Sequence, residues 1–599
     1  MAHAARAAAR FEHVLTCVDE VLAPAAAGLA AAPQEARRQA QMLGIDALLQ
    51  LGRLAAAEGQ ARALLRQWPA DADAHSLLGL VLQRAGRVGD AAASWREAIR
   101  LRPADARSRF NLAVAEEQAG ELDAARHDYE QAAAQLAGRA GPWSRVAALA
   151  ARCCDFDAEA RAVAALEAAL ALPAPPGDLV EPLLACFLPL SDAACGEVLR
   201  RQATAATAAA ASHSPPAVKA AASRGDGRPL RIGYLSPDFG AHAVGALLHP
   251  VLAAHDPAAV ELHLYALRRR SDPLADAYRG LPGYVDVAGD PAGAIARRIA
   301  ADGIDILVDL GGYTDGAMPA VAAARPAPVQ MAWLGLVGSM AAPFIDYQIV
   351  DAALVPAQLE HSFDEALLRL PGSFLPLSPA LPSIDRAAAR AAFGLPAGLL
   401  FACFNNAYKI DREVLRAWAA IVGPRDAHLL LAVADVARAR LRAEWSALGG
   451  RDDQLLFVER IPAQEHMHRA AACDLFLDTF RYHAGATAVS ALRAGLPVLC
   501  REGRLASARM GVSLNRALGL GELVVADDAA YVQRAGELAD RPAELAAVRD
   551  RLAVAMRGVA ADPARFARTL ERAYREAWKR HLAGEAPASF NLPPSDPAP

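Results

Sequence analysis

The rhythm of hydrophobic and polar positions changes near residue 229, and that change divides the chain. Before it, apolar positions recur at helical spacing in repeated blocks. Gly52, Gly86 and Gly120 lie 34 residues apart, as do Ala57, Ala91 and Ala125, and Pro69 and Pro103. After it come short apolar runs at 230–235, 260–267, 304–310, 329–334 and 346–351, then 399–404, 429–433, 455–458, 475–477, 497–500 and 523–525. Amphipathic helical stretches separate these runs. Strands alternating with helices predict parallel sheets, with functional loops at the strands' carboxyl ends.

The best block, 72–105, carries Leu78-Gly79, Leu82, Gly86, Ala91, Trp95, Ala98 and Pro103; the next carries Leu112-Ala113, Gly120, Ala125, Tyr129 and Ala132. This resembles the tetratricopeptide repeat. Small residues let paired helices approach, Trp95 and Tyr129 fill the gap to the next unit, glycine turns the chain and proline ends the second helix. Clear repeats run over about 38–139 within an α-solenoid at 1–202, with 4–37 and 140–200 read as off-register capping segments. A solenoid presents a peptide-binding surface for acceptor proteins, or serves as a scaffold or homodimer contact. Residues 203–228, with Pro-Pro and Gly-Asp-Gly, read as a linker, part of whose alanine run could be helical.

Composition narrows the function. With 599 residues, two or three domains are expected. Net charge is −5, which gives no basic field for nucleic acid. Eight cysteines show no CxxC pair or zinc spacing, so they read as reduced thiols of a cytoplasmic protein. No uncharged run reaches membrane-spanning length and the start lacks a signal-peptide core. The alanine-rich, arginine-over-lysine usage fits a GC-rich bacterial source.

Loops at strand ends supply the candidate residues. Ser236 to His242 follows the first run, Tyr313-Thr314 the third, and Gly335 to Ala341 the fourth. In the second half, Asn405, Asn406 and Lys409 follow 399–404, with Asp411 as the N-cap of the next helix. The run 475–477 ends at Asp478-Thr479; a loop with Gly485 at its far end feeds a helix from Thr487 to Ala494. Free N–H groups at that helix start favour a phosphate.

The segments RIGYLSPDFGAH, DGIDILVDLGGYTDGA, RPAPVQMAWLG, FNNAYKID, RIPAQEH and LFLDT followed by AGLPVL resemble the catalytic region of protein O-GlcNAc transferases and SPINDLY-like enzymes over about 229–582. The resemblance implies a GT-B pair of Rossmann-like halves, 229–380 and 381–582, the latter with a closing helix, then a tail at 583–599. It implies an inverting, metal-independent transferase moving GlcNAc from UDP-GlcNAc to Ser/Thr hydroxyls of proteins, with no cofactor, nucleic acid or membrane partner. By that resemblance Lys409 stabilises the leaving UDP, Asn406 lies near phosphate or ribose, and His466, Arg469 and Ile461 hold the uracil. Gly485, Ala486, Thr487 and Ser490 line the diphosphate and ribose. His242 sits near the acceptor hydroxyl as base, orienter or contact, with Tyr313, Thr314 and Gly335 on the acceptor and sugar side. The only suggestive DxD metal triplet, Asp71-Ala-Asp73, falls in a repeat turn.

Three positions depart from that pattern. Gly485 replaces a frequent histidine, Ser490 a frequent acidic residue, and GLVGSMA at 335–341 a more usual GYPGTSG. They open the donor to alternatives, such as GDP-fucose, and the function to a non-protein acceptor or an adaptor with a degenerate catalytic half. His483 is a possible substitute for the missing histidine.

Overall fold

The computed structural model describes residues 2–22, 33–136, 138–211, 228–381 and 384–594. The chain forms two compact units, Met1–Ala150 with Ala158–Asp178, and Ala151–Asp157 with Leu179–Pro599.

The first unit is built from antiparallel helix pairs: Gln34–Gln50 with Leu54–Gln67, Ala72–Arg84 with Val88–Leu101, and Ala106–Ala119 with Leu122–Gln135. Gly52, Gly86 and Gly120 close the first helix of each pair at φ of 71°, 77° and 82°. A Cβ there would meet open space, so the requirement is the left-handed backbone alone. Gly79 is required for the opposite reason, because a Cβ there would lie 2.4 Å from Trp95 Nε1. Trp95 thus covers its own unit's first helix, donating to Ser76 O at 3.2 Å, while also joining a core with Leu112 and Ala115 of the next. Asp71 caps the helix Ala72–Arg84, and Asp73 pairs with Arg102 at 2.8 Å, so this DxD triplet is spent on helix structure.

The off-register reading of 140–200 needs correction. Helices Ala140–Arg152 and Phe156–Leu170 form a fourth pair, starting 34 residues after Ala106. Cys154 stands where glycine stands in the other three units, and it adopts a positive φ of 52°. The periodicity was hidden because a non-glycine residue accepts the strained turn. Residues 151–157 belong to the second unit, where Cys154 and Phe156 join the core and Asp157 pairs with Arg412 at 2.6 Å.

The second unit holds two parallel sheets. The first contains β1 (Leu230–Ser236), β2 (Val260–Ala266), β3 (Tyr284–Asp286), β4 (Ile306–Asp309), β5 (Val329–Ala332), β6 (Tyr347–Asp351), β7 (Ala366–Leu370) and, from the far end of the chain, β14 (Phe590–Asn591). Their spatial order is β14-β7-β6-β5-β4-β1-β2-β3. The second contains β8 (Leu399–Cys403), β9 (Ala427–Leu431), β10 (Leu455–Phe457), β11 (Leu475–Leu477), β12 (Val498–Arg501) and β13 (Val524–Val525), in the order β10-β9-β8-β11-β12-β13. The fold is therefore a helical repeat array followed by two Rossmann-like α/β halves. Strand order reverses between β1 and β4 in one sheet and between β8 and β11 in the other. Crevices at such reversals, outside the strands' carboxyl ends, are where open α/β sheets bind ligands.

Two expected boundaries shift. The helix Asp192–Ala211 runs into the expected linker; the rest of that stretch, 212–227, lies outside the described residues. The long helix Pro563–Leu582 packs on the first half: Tyr574 and Tyr234 hydroxyls are 2.8 Å apart, Glu571 meets His255 at 2.9 Å, and Phe566 stacks on Trp333. Residues 583–594 are more than a tail, since β14 extends the first sheet beyond β7 and buries Phe590 and Leu592.

Candidate active site

At the β8/β11 reversal, Asn405 to Lys409 leaves β8 and Asp478 to Gly485 leaves β11. Asn405 Nδ2 donates across the gap to Asp478 Oδ1 at 2.9 Å and to Thr479 Oγ1 at 2.8 Å. Asp478 Oδ1 also accepts from the N–H groups of Thr479 and Ala484, both at 2.9 Å, which folds the loop back on its own strand end. A short 3-10 turn, Ala407–Lys409, then drives Lys409 into the same space. Its Nζ donates to His483 O at 2.8 Å and lies 3.8 Å from the centroid of the Tyr482 ring. The side chain is buried, and desolvation pushes its ammonium down to about 8 against the pull of Asp478. Among the described residues this buried cation meets a carbonyl and a ring face but no carboxylate in hydrogen-bonded contact, which suits a polyanion.

The helix Ala486–Arg493 starts beside it. Gly485 occupies the N-cap position with no side-chain cap, so the first-turn N–H groups of Ala486 and Thr487 remain available to an anion. Ser490 lies one turn along, half-buried. A Cβ on Gly485 would sit 3.0 Å from Met510 Sδ, so a larger residue there would require the flexible Met510 side chain to shift. His483 does not substitute for a side chain at 485. It is fully buried, its Nδ1 accepts from Gly511 N–H at 3.2 Å, and burial pushes its pKa down to about 4.

Beyond β8 lies an aromatic and cationic shelf. His466 packs edge-on to Phe404 with centroids 4.7 Å apart, and its Nδ1 accepts from Arg469 Nη2 at 3.2 Å. Burial and then the Arg469 charge push His466 down to about 4, so the ring is neutral at pH 7. Arg469 is anchored through Nη1 to Glu459 O at 2.8 Å. Asn406 is tied to this shelf through Arg460, which donates to its Oδ1, and to Tyr408 at 3.1 Å. Ile461, half-buried, lies between Arg460 and the helix Ala463–Ala471.

At the β1/β4 reversal, His242 caps the helix Ala243–Leu252, with 42% of its side chain exposed. Burial lowers its pKa, Asp238 opposes that, and Arg270 and Arg268 add to it. The loop after β4 is built on buried Asp309, which accepts from Gly311 and Gly312 N–H and is pushed up to about 6 by desolvation. Tyr313 is buried and its hydroxyl donates to Met340 O at 2.9 Å, so it serves to hold the loop 335–341. Thr314 Oγ1 donates to Gly311 O at 2.7 Å. A Cβ on Gly335 would lie 2.3 Å from Leu310 O, so this glycine is fixed by close backbone approach. The loop 335–341 borders a cavity of about 510 Å³ shared with Cys186, Leu199, Phe363, Arg504 and Ser507.

The two reversals belong to one region. The helix that His242 caps packs against the helix that Gly485 opens. Ser513 of the second half donates to Asp351 of the first at 2.6 Å, and Arg509 Nε donates to Ala353 O at 3.0 Å. Sequence reasoning placed Asn405 and Asp478 at strand ends without their bond, and missed Asp238 and Asp309 as site builders. Each works through a loop-to-loop or loop-to-backbone contact, and the only local signal was a polar residue just past an apolar run.

Comparison with known proteins agrees with this layout. The profile of glycosyl transferase family 41 matches residues 177–376 and 380–560, and a tetratricopeptide repeat profile matches 42–95 and 77–142. Among curated relatives, the Arabidopsis thaliana protein named "Probable UDP-N-acetylglucosamine--peptide N-acetylglucosaminyltransferase SEC" is 32% identical over 385 residues, covering 61% of this chain and 39% of that protein. A Solanum lycopersicum protein of the same description, named SPINDLY, is 32% identical over 376 residues, covering 60% and 40%. The chain thus spans about 40% of the length of these relatives. A solved O-GlcNAc transferase mutant from Thermobaculum terrenum superposes with a TM-score of 0.65 at 27% identity, covering 92% of this chain and 99% of that one. With one profile spanning both strand-order reversals and every loop that carries the site, the chain belongs to glycosyl transferase family 41.

Proposed function

We propose that the protein transfers GlcNAc from UDP-GlcNAc to Ser or Thr hydroxyls of acceptor proteins, with inversion and without a metal ion. The observation that carries this reading is the buried Lys409 ammonium beside the uncapped start of the helix Ala486–Arg493. In a transfer to an acceptor hydroxyl, the bond from the anomeric carbon to the diphosphate breaks as the new C–O bond forms, and charge accumulates on the departing oxygen. A preorganised ammonium and backbone N–H groups stabilise that charge more than the ground state. They supply what a divalent cation supplies elsewhere. The neutral His466 ring, Arg469 and the Ile461 backbone offer a flat, partly cationic shelf for a base, and Asn406 an amide nearby. His242 stands at the other reversal, where an acceptor hydroxyl would lose its proton.

The repeats would recruit acceptors, in a cytoplasmic setting; among the described residues no helix is long and apolar enough to cross a membrane. One observation favours a second donor. Ser490 offers a short hydroxyl and Gly485 no side chain, so the ribose and phosphate contacts differ from a histidine-and-carboxylate arrangement. Labelled UDP-GlcNAc, other UDP-sugars and GDP-fucose incubated with the full chain and a bacterial lysate decide between them. Label entering protein from UDP-GlcNAc, and not from GDP-fucose, is the expected result; label from GDP-fucose alone contradicts the donor assignment.

A further inference from the structure

The loop that leaves β11 meets Lys409 through two adjacent residues. The centroid of the Tyr482 ring lies 3.8 Å from the ammonium nitrogen, and His483 O accepts from it at 2.8 Å. A lysine ammonium has three N–H donors, so one spent on a carbonyl leaves the others for an anion. Where that carbonyl stands therefore decides where the remaining donors point.

Further bonds fix the carbonyl. His483 N–H donates to Ser507 O at 2.9 Å. The N–H of the same peptide group, on Ala484, donates to Asp478 Oδ1 at 2.9 Å. The side chain adds another tie: Gly511 N–H donates to His483 Nδ1 at 3.2 Å. Gly511 lies in the first turn of the helix Met510–Ala517, whose own flanking residue supplies no side-chain cap. The imidazole thus gives a first-turn N–H the acceptor it lacks within the helix. Asp478 Oδ2 stands 3.7 Å from the same nitrogen, beyond hydrogen-bond distance. Nδ1 is therefore the acceptor, and the neutral ring carries its proton on Nε2. Burial, partly opposed by Asp478, pushes the ring's pKa down to about 4, so it is neutral at pH 7. The helix start comes this close because residue 511 is glycine. A Cβ there would fall 3.0 Å from Cys500 Cβ and 3.1 Å from Asp478 Oδ2.

We propose that His483 is the positioning residue for Lys409: its ring, bonded to the start of the helix Met510–Ala517, fixes the backbone carbonyl that aims the ammonium at the departing diphosphate. The geometry stands by itself; the catalytic consequence rests on the glycosyl-transfer reading above. Without the ring acceptor, the Gly511 N–H is left buried and unpaired, and the loop that carries the carbonyl loses its tie to the helix. The ammonium then meets water and no longer points one way. Desolvation lowers the Lys409 ammonium now, and the ionisable groups facing it, Asp478, Cys403 and Cys186, oppose that.

The test reads Lys409 directly on the full chain. The sequence holds three lysines, Lys219, Lys409 and Lys579. Carbon-13 lysine NMR, with Lys409→Met assigning the signal, follows the ammonium's titration without needing ligand or activity. His483→Leu keeps bulk and removes the ring acceptor, whereas His483→Asn places an amide oxygen where Nδ1 stands. The wild type is expected to titrate near 8. His483→Leu moves that upward toward the ordinary lysine value of about 10.4, and His483→Asn holds it near the wild type. A His483→Leu chain that loses stability with the Lys409 titration unmoved marks a merely structural role and overturns the proposal. Nitrogen-15 NMR showing the proton on His483 Nδ1 overturns it as well. For transfer from UDP-GlcNAc, His483→Leu lowers kcat by about 100-fold, the cost of a group misplaced by about 1 Å, with KM nearly constant. His483→Asn restores most of the rate, and an unchanged kcat in His483→Leu contradicts the catalytic consequence. Should His483→Leu melt early, His483→Gln is read in its place, because its longer amide moves the acceptor away from Gly511. A titration that moves as expected in a chain that transfers no sugar defeats the glycosyl-transfer reading and leaves the positioning role standing.

Discussion

Lys409 carries the most at the scale of a single residue. Its neighbours are a carbonyl and an aromatic face, and its ammonium titrates near 8 because water is excluded. The sign of the linkage follows from that depression. Between pH 8 and the unfolded lysine value of about 10.4 the unfolded chain binds more protons, so this group's contribution to stability rises with pH in that window. Lys409→Met therefore raises the melting temperature at pH 7 while cutting transfer by about 100- to 1,000-fold, the range for one lost transition-state donor. A variant that loses both stability and activity contradicts the assignment. Occupancy by a diphosphate raises the ammonium's pKa, so nucleotide affinity measured by calorimetry falls as pH climbs through 8. His242 sets the other limb: with burial lowering its pKa, the acid limb of kcat/KM for transfer lies below the ordinary histidine value of about 6.5. An acid limb above that value argues against His242 as the base. The loops that carry Lys409 and His242 were legible in the sequence because both follow strong apolar runs and feed a helix, while the roles of the two side chains came from the family resemblance. The bond between Asn405 and Asp478 was not, since it joins positions 73 residues apart.

Among elements, the pair of loops at the β8/β11 reversal is the unit that matters. Asn405 links them through two donated bonds, and both acceptors are buried. Asn405→Ala leaves Asp478 and Thr479 short of a partner, which costs about 1–3 kcal/mol of stability. Urea melts with a matched drop in nucleotide affinity check this; lost stability with unchanged affinity contradicts the link between loop tie and site. The repeat helices carry a second element-scale prediction. Gly79→Ala destabilises the first unit by about 1–3 kcal/mol through overpacking on Trp95, although alanine is the better helix former. The repeats were read correctly where glycine marks the turn. The fourth pair was missed because Cys154 occupies the left-handed position that glycine announces elsewhere. Short strands such as β3 and β7 escaped for a different reason: a few residues at or near a sheet edge carry too little periodicity to stand out.

Across the whole molecule, the chain's end belongs to the first α/β half rather than to the second half, which it follows in sequence. The helix Pro563–Leu582 reaches Tyr234, His255 and Trp333, and β14 completes the sheet edge at β7. The amphipathic pattern announced the helix, but nothing local could announce a two-residue strand whose only partner lies more than 200 residues earlier. A chain ending at residue 584 loses the burial of Phe590 and Leu592, about 1.5–3 kcal/mol for each large side chain. Thermal unfolding shows the loss as a lower melting temperature, and an unchanged melt means the strand is dispensable. The two halves nonetheless share one task, because their strand-order reversals open beside helices that touch and their loops are bonded through Ser513 and Arg509.

The central claim is that the reversal between β8 and β11 holds the diphosphate of a nucleotide-sugar on Lys409 and the start of the helix Ala486–Arg493. Calorimetric titration of UDP into the full chain, beside the Lys409→Met variant at pH 7, tests it most directly. The account predicts one UDP per chain and binding at least tenfold weaker in the variant, about 1.4 kcal/mol. No heat of binding at millimolar UDP, or equal affinity in both proteins, would contradict it.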